Sequence, residues 1–266
     1  MSQVNTISET STANRIAHYF SKAAADYTRH HAIQQTVGGQ LLERLQPVAG
    51  RLLDIGCGPA SFYPQLSALA AQYYGVDVAA GMLEQARRQT PVTVPLLQGS
   101  AERLPFAADQ FDACFANLSL QWCARLESAI AEMQRVLKAN GQALFNLPVA
   151  GTFAELKRSW ETVDQHPHTQ SFKTVDDVAD CLARAGVNDY DVELATHTQY
   201  FFDTRALLQS IKGVGASFVE RSQQPGLMTP RRFANFSKHY ERFRTDQGLP
   251  LTWVIMSIKF NKQINN

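Results

Sequence analysis

Two carboxylates and two glycines carry the first chemical signal in this sequence. Asp54 precedes Gly56 and Gly58 in "LLDIGCGPASF", and a second carboxylate, Asp77, closes the next apolar run, "YYGVD". Glycine has no Cβ, so a turn built on it lets the backbone approach a ligand closely. A carboxylate at the end of the following strand suits the paired hydroxyls of a ribose. The spacing therefore points to a nucleotide-like ligand held at strand ends. Ser61 stands where the third glycine of G-x-G-x-x-G would be, so the fragment alone leaves a turn that binds nothing as the rival reading.

The elements that position these residues follow from the change of hydrophobic period. A helical pattern over Thr12 to Leu45, broken near Asp26–His31, gives way to alternating short apolar runs and amphipathic stretches. The strands expected are "RLLDIG", "YYGVDV", "VPLLQGS", "FDACFANLSL" and "QALFNLP". Helices are expected over "FYPQLSALAAQ", "AAGMLEQARRQ" and "LESAIAEMQRVLKANG", the last stopped by Asn140-Gly141. This alternation predicts an α/β fold with a mostly parallel sheet and ligands at the carboxyl ends of its strands. After Pro148 the alternation loosens: a helix over "TVDDVADCLARAG", a strand over "DVELATHTQYFF", a helical insert at about 203–248 and a closing strand "LTWVIMSIKF".

Bulk properties narrow the class. The 266 residues fit one core domain with additions, and 45% hydrophobic against 18% charged residues describe an ordinary globule. Lys plus Arg number 25 against 24 Asp plus Glu, which gives no support to nucleic-acid binding. Cys57, Cys114, Cys123 and Cys181 form no CxxC pair and no metal-spaced cluster, arguing against disulfides and a metal site. No apolar run reaches membrane-spanning length, and the N-terminus lacks the features of a signal peptide. A cytoplasmic protein is expected.

The remaining residues separate the possible ligands. A carboxylate at Asp54 suits the ammonium of a methionine moiety and would repel a pyrophosphate, and the turn lacks a basic or hydroxyl-rich phosphate cradle. The order D-I-G-C-G, V-D-V-A-A-G-M-L, G-S-A-E-R-L-P-F, F-D and R-V-L-K-A-N-G, from about Arg51 to Pro148, resembles the class I S-adenosylmethionine-dependent methyltransferases. The resemblance implies their Rossmann-like sheet, mostly parallel with the last strand antiparallel. It divides the chain into an N-terminal helical lid (1–48), a cofactor core (49–150) and a completing segment (151–266) with the helical insert. It also implies that Asp54, Gly56 and Gly58 line the methionine portion of S-adenosylmethionine. Asp77 would bond the ribose, Met82 pack on the adenine, Ser100 and Ala101 face the adenine edge, and Asn117 and Leu118 approach the sulfonium. Ser100 departs from the Asp common in that family.

"FSKAAADY", "NLSLQWC", "VDQHPHTQSF" and "SIKGVGAS" extend the likeness over nearly the whole chain, and they are similar to the malonyl-acyl-carrier-protein O-methyltransferases that begin pimeloyl synthesis for biotin. A carboxylate substrate, with a reference pKa near ~4, is already an anionic nucleophile and needs alignment rather than a general base. What it does need is a cation, and Lys212 is the candidate. By the same resemblance Tyr27 would close over the reacting centre and Gln34 would reach the methionine carboxylate. His168 is expected to be structural, and Trp122 to wall the acyl pocket or belong to the core. An acidic acyl carrier protein is the partner implied, and "TPRRFANFSKHYERFR" offers Arg231, Arg232, Lys238, Arg242 and Arg244 for docking. Methylation of another small acid or ring, and a silent cofactor-binding module, remain alternatives at this stage.

Overall fold

The computed structural model describes residues 15–21, 32–164, 166–213 and 229–263, without the side chains of 212 and 213. Helix α1 covers 15–21 and α2 Ala32–Glu43. The alternating core then runs β1 (Val48–Ile55), α3 (Tyr63–Ala68), β2 (Ala70–Asp77), α4 (Ala80–Gln89), β3 (Leu96–Gln98), β4 (Phe111–Asn117), α5 (Leu126–Val136) and β5 (Leu137–Pro148). It continues as α6 (Ala154–Glu161), α7 (Val175–Arg184), β6 (Asp191–Phe201), α8 (Thr204–Gly213), α9 (Pro230–Tyr240) and β7 (Leu249–Asn261).

The seven strands lie in the order β3-β2-β1-β4-β5-β7-β6. β1 to β5 pair in parallel, while β7 runs antiparallel to both β5 and β6. This is the expected sheet. Both faces of its centre are covered, which is why the strands read as continuous apolar runs. Leu53, Ile55, Cys114, Ala116 and Phe145 pack toward α5 and α7, and Leu52, Phe115 and Leu144 toward α2 and α3. α5 docks through Leu126, Ala129, Ile130, Met133 and Val136, the i, i+3, i+4, i+7 stripe of a surface helix. α7 starts at a capping box, with Thr174 Oγ1 accepting from Asp177 N and Asp177 Oδ2 accepting from Thr174 N. A third apolar cluster joins α2, α6, α8, α9 and β7 through Val37, Trp160, Leu207, Phe236 and Trp253. The insert expected near 203–248 thus contains α8 and α9. Among the described residues no helix is long and apolar enough to cross a membrane.

Three expectations need correction. The helix expected to run to Asn140-Gly141 ends at Val136, and Leu137 already pairs with Phe111 of β4. The register shift between Phe111 and Ala113 absorbs residues 138–141, with Asn140 at φ +61°, so the Asn-Gly signal marks a bulge rather than a helix stop. The helix after the glycine turn ends at Ala68, because Ala70 and Gln72 are already paired with β1. Finally, α6 is a helix where no element was expected.

Candidate active site

β1 and β4 run parallel, and between them the succession of strands switches from one side of the sheet to the other; an open α/β sheet binds ligands in the crevice at the carboxyl ends of the strands at such a point. The cleft there encloses about 810 Å³, counting the part open to solvent, within the usual range of small-molecule sites. Gly56 and Gly58 form its floor at φ +69° and +54°. A Cβ on Gly58 would meet nothing within 4 Å, so the backbone lies open to an incoming ligand.

Asp77 caps β2 beside this turn. Its Oδ2 accepts from Gly58 N at 2.9 Å and its Oδ1 from Ala79 N at 2.8 Å. These bonds fix the carboxylate and use one lone pair of each oxygen, leaving the others for ligand hydroxyls. Burial pushes the Asp77 pKa up, against those same backbone donors. Met82 lines the cleft from the first turns of α4, packed on Ala79 and Phe20. Ser100 and Ala101 line it after β3, although the Ser100 hydroxyl already accepts from Glu102 N at 3.2 Å.

Asn117 and Leu118 complete the wall at the end of β4. Leu118 holds φ +47°, an unusual conformation for a leucine. Asn146 Oδ1 accepts from its N–H at 2.8 Å and Gln121 Nε2 donates to its carbonyl at 2.8 Å. Asn117 Nδ2 donates to the Gln34 carbonyl at 3.0 Å, latching α2 to the strand. Asn117 Oδ1 and Gln34 Oε1 are buried with no partner among the described residues. A buried acceptor without a donor is costly, so a ligand carrying an N–H donor fits beside Asn117, the one of the two that lines the cleft.

Asp54 and Gln34 do not form the cleft surface; both are buried behind it. Burial pushes the Asp54 pKa up to about 7, with Tyr73 opposing the shift and Asp77 adding to it. Tyr27 lies outside the described residues, as does the Lys212 side chain, whose backbone forms the last turn of α8. His168 stacks on Trp160 at 3.7 Å, and its Nε2 lies 3.0 Å from Asp164 Oδ1. Burial lowers its pKa against the pull of Asp164. Asp164 also pairs with Arg232, and although burial opposes ionisation, these bonds hold its pKa down to about 2.

Of the basic residues, Arg232 is therefore engaged with Asp164, and Arg244 is bidentate to Glu241 at 2.6 and 2.8 Å. Arg231, Lys238 and Arg242 are exposed; the i, i+7 spacing of the first two puts them on one stripe of α9, opposite Phe236 and Tyr240, and Arg242 lies in the 3-10 turn that follows.

Sequence reasoning missed Ile16 and Phe20, which close the cleft from α1, and Phe20 meets Trp122 edge to face at 5.2 Å. Their i, i+4 spacing in "RIAHYF" was the available signal. Ser119, which donates to Ile55 O at 2.8 Å, and Asn146 were missed too, since only tertiary folding brings them to the turn.

S-adenosylmethionine fits these groups: an anchored carboxylate of the kind that suits a ribose, an open glycine turn, and on Asn117 a buried acceptor of the kind that suits an ammonium. A family model described as a methyltransferase domain matches residues 53–145. The fold is shared with an S-adenosylmethionine-dependent methyltransferase from Thermotoga maritima, at a TM-score of 0.57 and 20% identity over 93% of this chain and 100% of that one. The biotin biosynthesis bifunctional protein BioHC of Cellvibrio japonicus is 38% identical over 91% of this chain, which spans 48% of that longer protein. A malonyl-[acyl-carrier protein] O-methyltransferase of Legionella pneumophila is 32% identical over 91% of this chain and 88% of its own length. That likeness runs well beyond the cofactor core at both ends, so the chain belongs to the malonyl-[acyl-carrier protein] O-methyltransferases.

Proposed function

We propose that this chain transfers the methyl group of S-adenosylmethionine to the free carboxylate of a malonyl thioester carried on an acyl carrier protein, giving the methyl ester that starts a pimeloyl chain for biotin. The observation that carries the reading is Leu118, which belongs at once to the cofactor cleft and to the apolar cluster of α2, α6, α8 and α9. An acyl group entering beside it would leave water behind. The malonyl carboxylate is ionised at neutral pH, so the chemistry asks for alignment with the sulfonium methyl and for exclusion of water. When bound, S-adenosylmethionine supplies the activated methyl group.

In this reading Asp77 grips the ribose, Met82 and Phe20 cover the adenine, and Asp54 with Asn117 takes the methionine ammonium. Lys212, on the α8 side of the apolar cluster, is the proposed cation for the malonyl carboxylate, and Tyr27 the proposed cover of the reacting centre. Incubation with S-adenosylmethionine and malonyl-acyl carrier protein should add the mass of one methylene to the acyl group, read by mass spectrometry. Turnover on another acceptor with no such increment would remove the proposal.

The carrier protein is proposed to dock on Arg231, Lys238 and Arg242. Replacing all three with Glu should raise KM for malonyl-acyl carrier protein about tenfold at low salt. KM for malonyl-coenzyme A should stay unchanged, because the stripe steers an acidic protein rather than the acyl group. Equal effects on both substrates would place the docking surface elsewhere.

A further inference from the structure

The register of β1 on β2 brings together an unusual contact beneath the cleft. Asp54 on β1 pairs with Gly75 on β2, and Tyr73, two residues before Gly75, projects to the same side of β2. The Tyr73 ring extends past Gly75 toward Asp54. Its hydroxyl donates to Asp54 Oδ2 at 2.8 Å. A Cβ on Gly75 would lie 3.3 Å from that hydroxyl, 3.0 Å from Cys57 Sγ and 2.6 Å from Leu96 Cδ2. Only glycine leaves this channel open.

Tyr73 is 4% exposed and stacks edge to face on Tyr63 at 5.2 Å. Burial, reinforced by Asp54, raises its own pKa well above the ordinary value. The hydroxyl therefore keeps its proton and acts as a donor. Asp54 Oδ1 takes no hydrogen bond from the described residues. Among the described residues the carboxylate is thus held through Oδ2 alone.

We propose that Tyr73 is a positioning residue for the methionine end of S-adenosylmethionine: through the gap at Gly75 its hydroxyl holds and orients Asp54, the carboxylate read as the partner of the ligand ammonium. The inference rests on the reading of Asp54 as the ammonium's partner. Among the described residues the other groups facing Asp54 are Asp77 from β2, which disfavours its ionisation, and Cys57 in the turn, whose thiol burial keeps neutral. β4 presents only Phe115 opposite Asp54.

The tyrosine hydrogen bond stabilises the ionised form, so its removal raises the pKa of Asp54. At a pH where wild-type Asp54 is partly ionised, the Tyr73→Phe carboxyl is mostly protonated and binds the ammonium poorly. At higher pH both are ionised and the difference closes. S-adenosylmethionine affinity of the whole chain, measured by calorimetry, should be about tenfold weaker in Tyr73→Phe near pH 6. The ratio of wild-type to variant affinity should shrink to less than about twofold near pH 8.5. Taking the ratio cancels the titration of the ligand's own amino group. Adenosine, which lacks the amino-acid end, should bind both proteins equally at every pH.

A ratio of one throughout, or a loss that does not change with pH, overturns the role of Tyr73. Asp54→Asn separates the two levels of the argument. If it binds S-adenosylmethionine as tightly as wild type, the reading of Asp54 fails. If it binds weakly while Tyr73→Phe does not, only Tyr73 has been misassigned. A measurement without substitution stands beside these. The 13C signal of the Asp54 side-chain carboxyl should titrate near neutrality in the ligand-free protein and cease to do so when S-adenosylhomocysteine saturates the site. A carboxyl already fully ionised at pH 5 without ligand contradicts the proposal.

Discussion

Asp77→Ala is expected to weaken S-adenosylmethionine binding about a hundredfold and adenosine binding by a similar factor. Two hydroxyl-to-carboxylate hydrogen bonds at about 1.5 kcal/mol each give about 3 kcal/mol, or roughly two orders of magnitude in Kd. The variant also strips Gly58 N and Ala79 N of their acceptor, so the turn keeps only its backbone bonds from Gly56 N and Cys57 N to the Val76 carbonyl against β2. Calorimetry with both ligands checks the effect. Because adenosine carries the ribose and lacks the ammonium, its loss of affinity distinguishes Asp77 from Asp54. Affinities within threefold of wild type for both ligands would mean that the ribose is held elsewhere.

The same two carboxylates work against the ligand-free fold. Burial raises the folded-state pKa of both Asp54 and Asp77 above the ordinary carboxylate value. For such groups, the stability present below the unfolded pKa is lost as pH rises through the folded one, here to about 7 for Asp54. On the proposed reading, a bound ammonium and ribose offset this cost. Stability has been exchanged for binding at this corner of the sheet.

The legible parts of the molecule were those specified by local sequence. The glycine turn, Asp77 and the parallel core depend on backbone conformation and period, which neighbouring residues dictate. The helix boundaries depended on tertiary pairing instead. Leu137 is recruited by β4 although "RVLKANG" continues a helical pattern, and Gln110 N reaches the Val136 carbonyl to finish the helix end. α6 announces itself weakly because Phe153 precedes it in a left-handed conformation at φ +60°, without a capping side chain. In the site, spacing singles out Asp54 but does not tell that it lies behind the cleft surface, nor that Tyr73 reaches it past Gly75. Asn146 and Gln121, which pin Leu118 in its strained conformation, come from β5 and from the turn beyond β4. Such partnerships form only when the sheet is assembled.

Gly56→Ala should nearly abolish turnover while leaving a folded protein of reduced stability. The residue sits at φ +69°, where a Cβ costs about 1–2 kcal/mol. That Cβ would also fall 2.3 Å from Ser119 Cβ, too close for contact without backbone movement, and overpacking of this kind costs about 1–3 kcal/mol more. Ser119 cannot retreat freely, because its hydroxyl donates to Ile55 O at 2.8 Å. Relief must come from moving the segment after β4, which carries Leu118 and the cleft wall. A shift of the wall by about an ångström is enough to cost about a hundredfold in rate. Gly58→Ala provides the comparison. It carries the left-handed penalty at φ +54° but meets no atom of the described residues within 4 Å, so its folding defect should be the smaller one, and its methyl would intrude on the ligand. Melting temperatures without ligand should fall further for Gly56→Ala than for Gly58→Ala, and kcat/KM should drop in both. Equal melting temperatures would show that Ser119 yields easily, and full activity in Gly56→Ala would detach the β4 wall from the reaction.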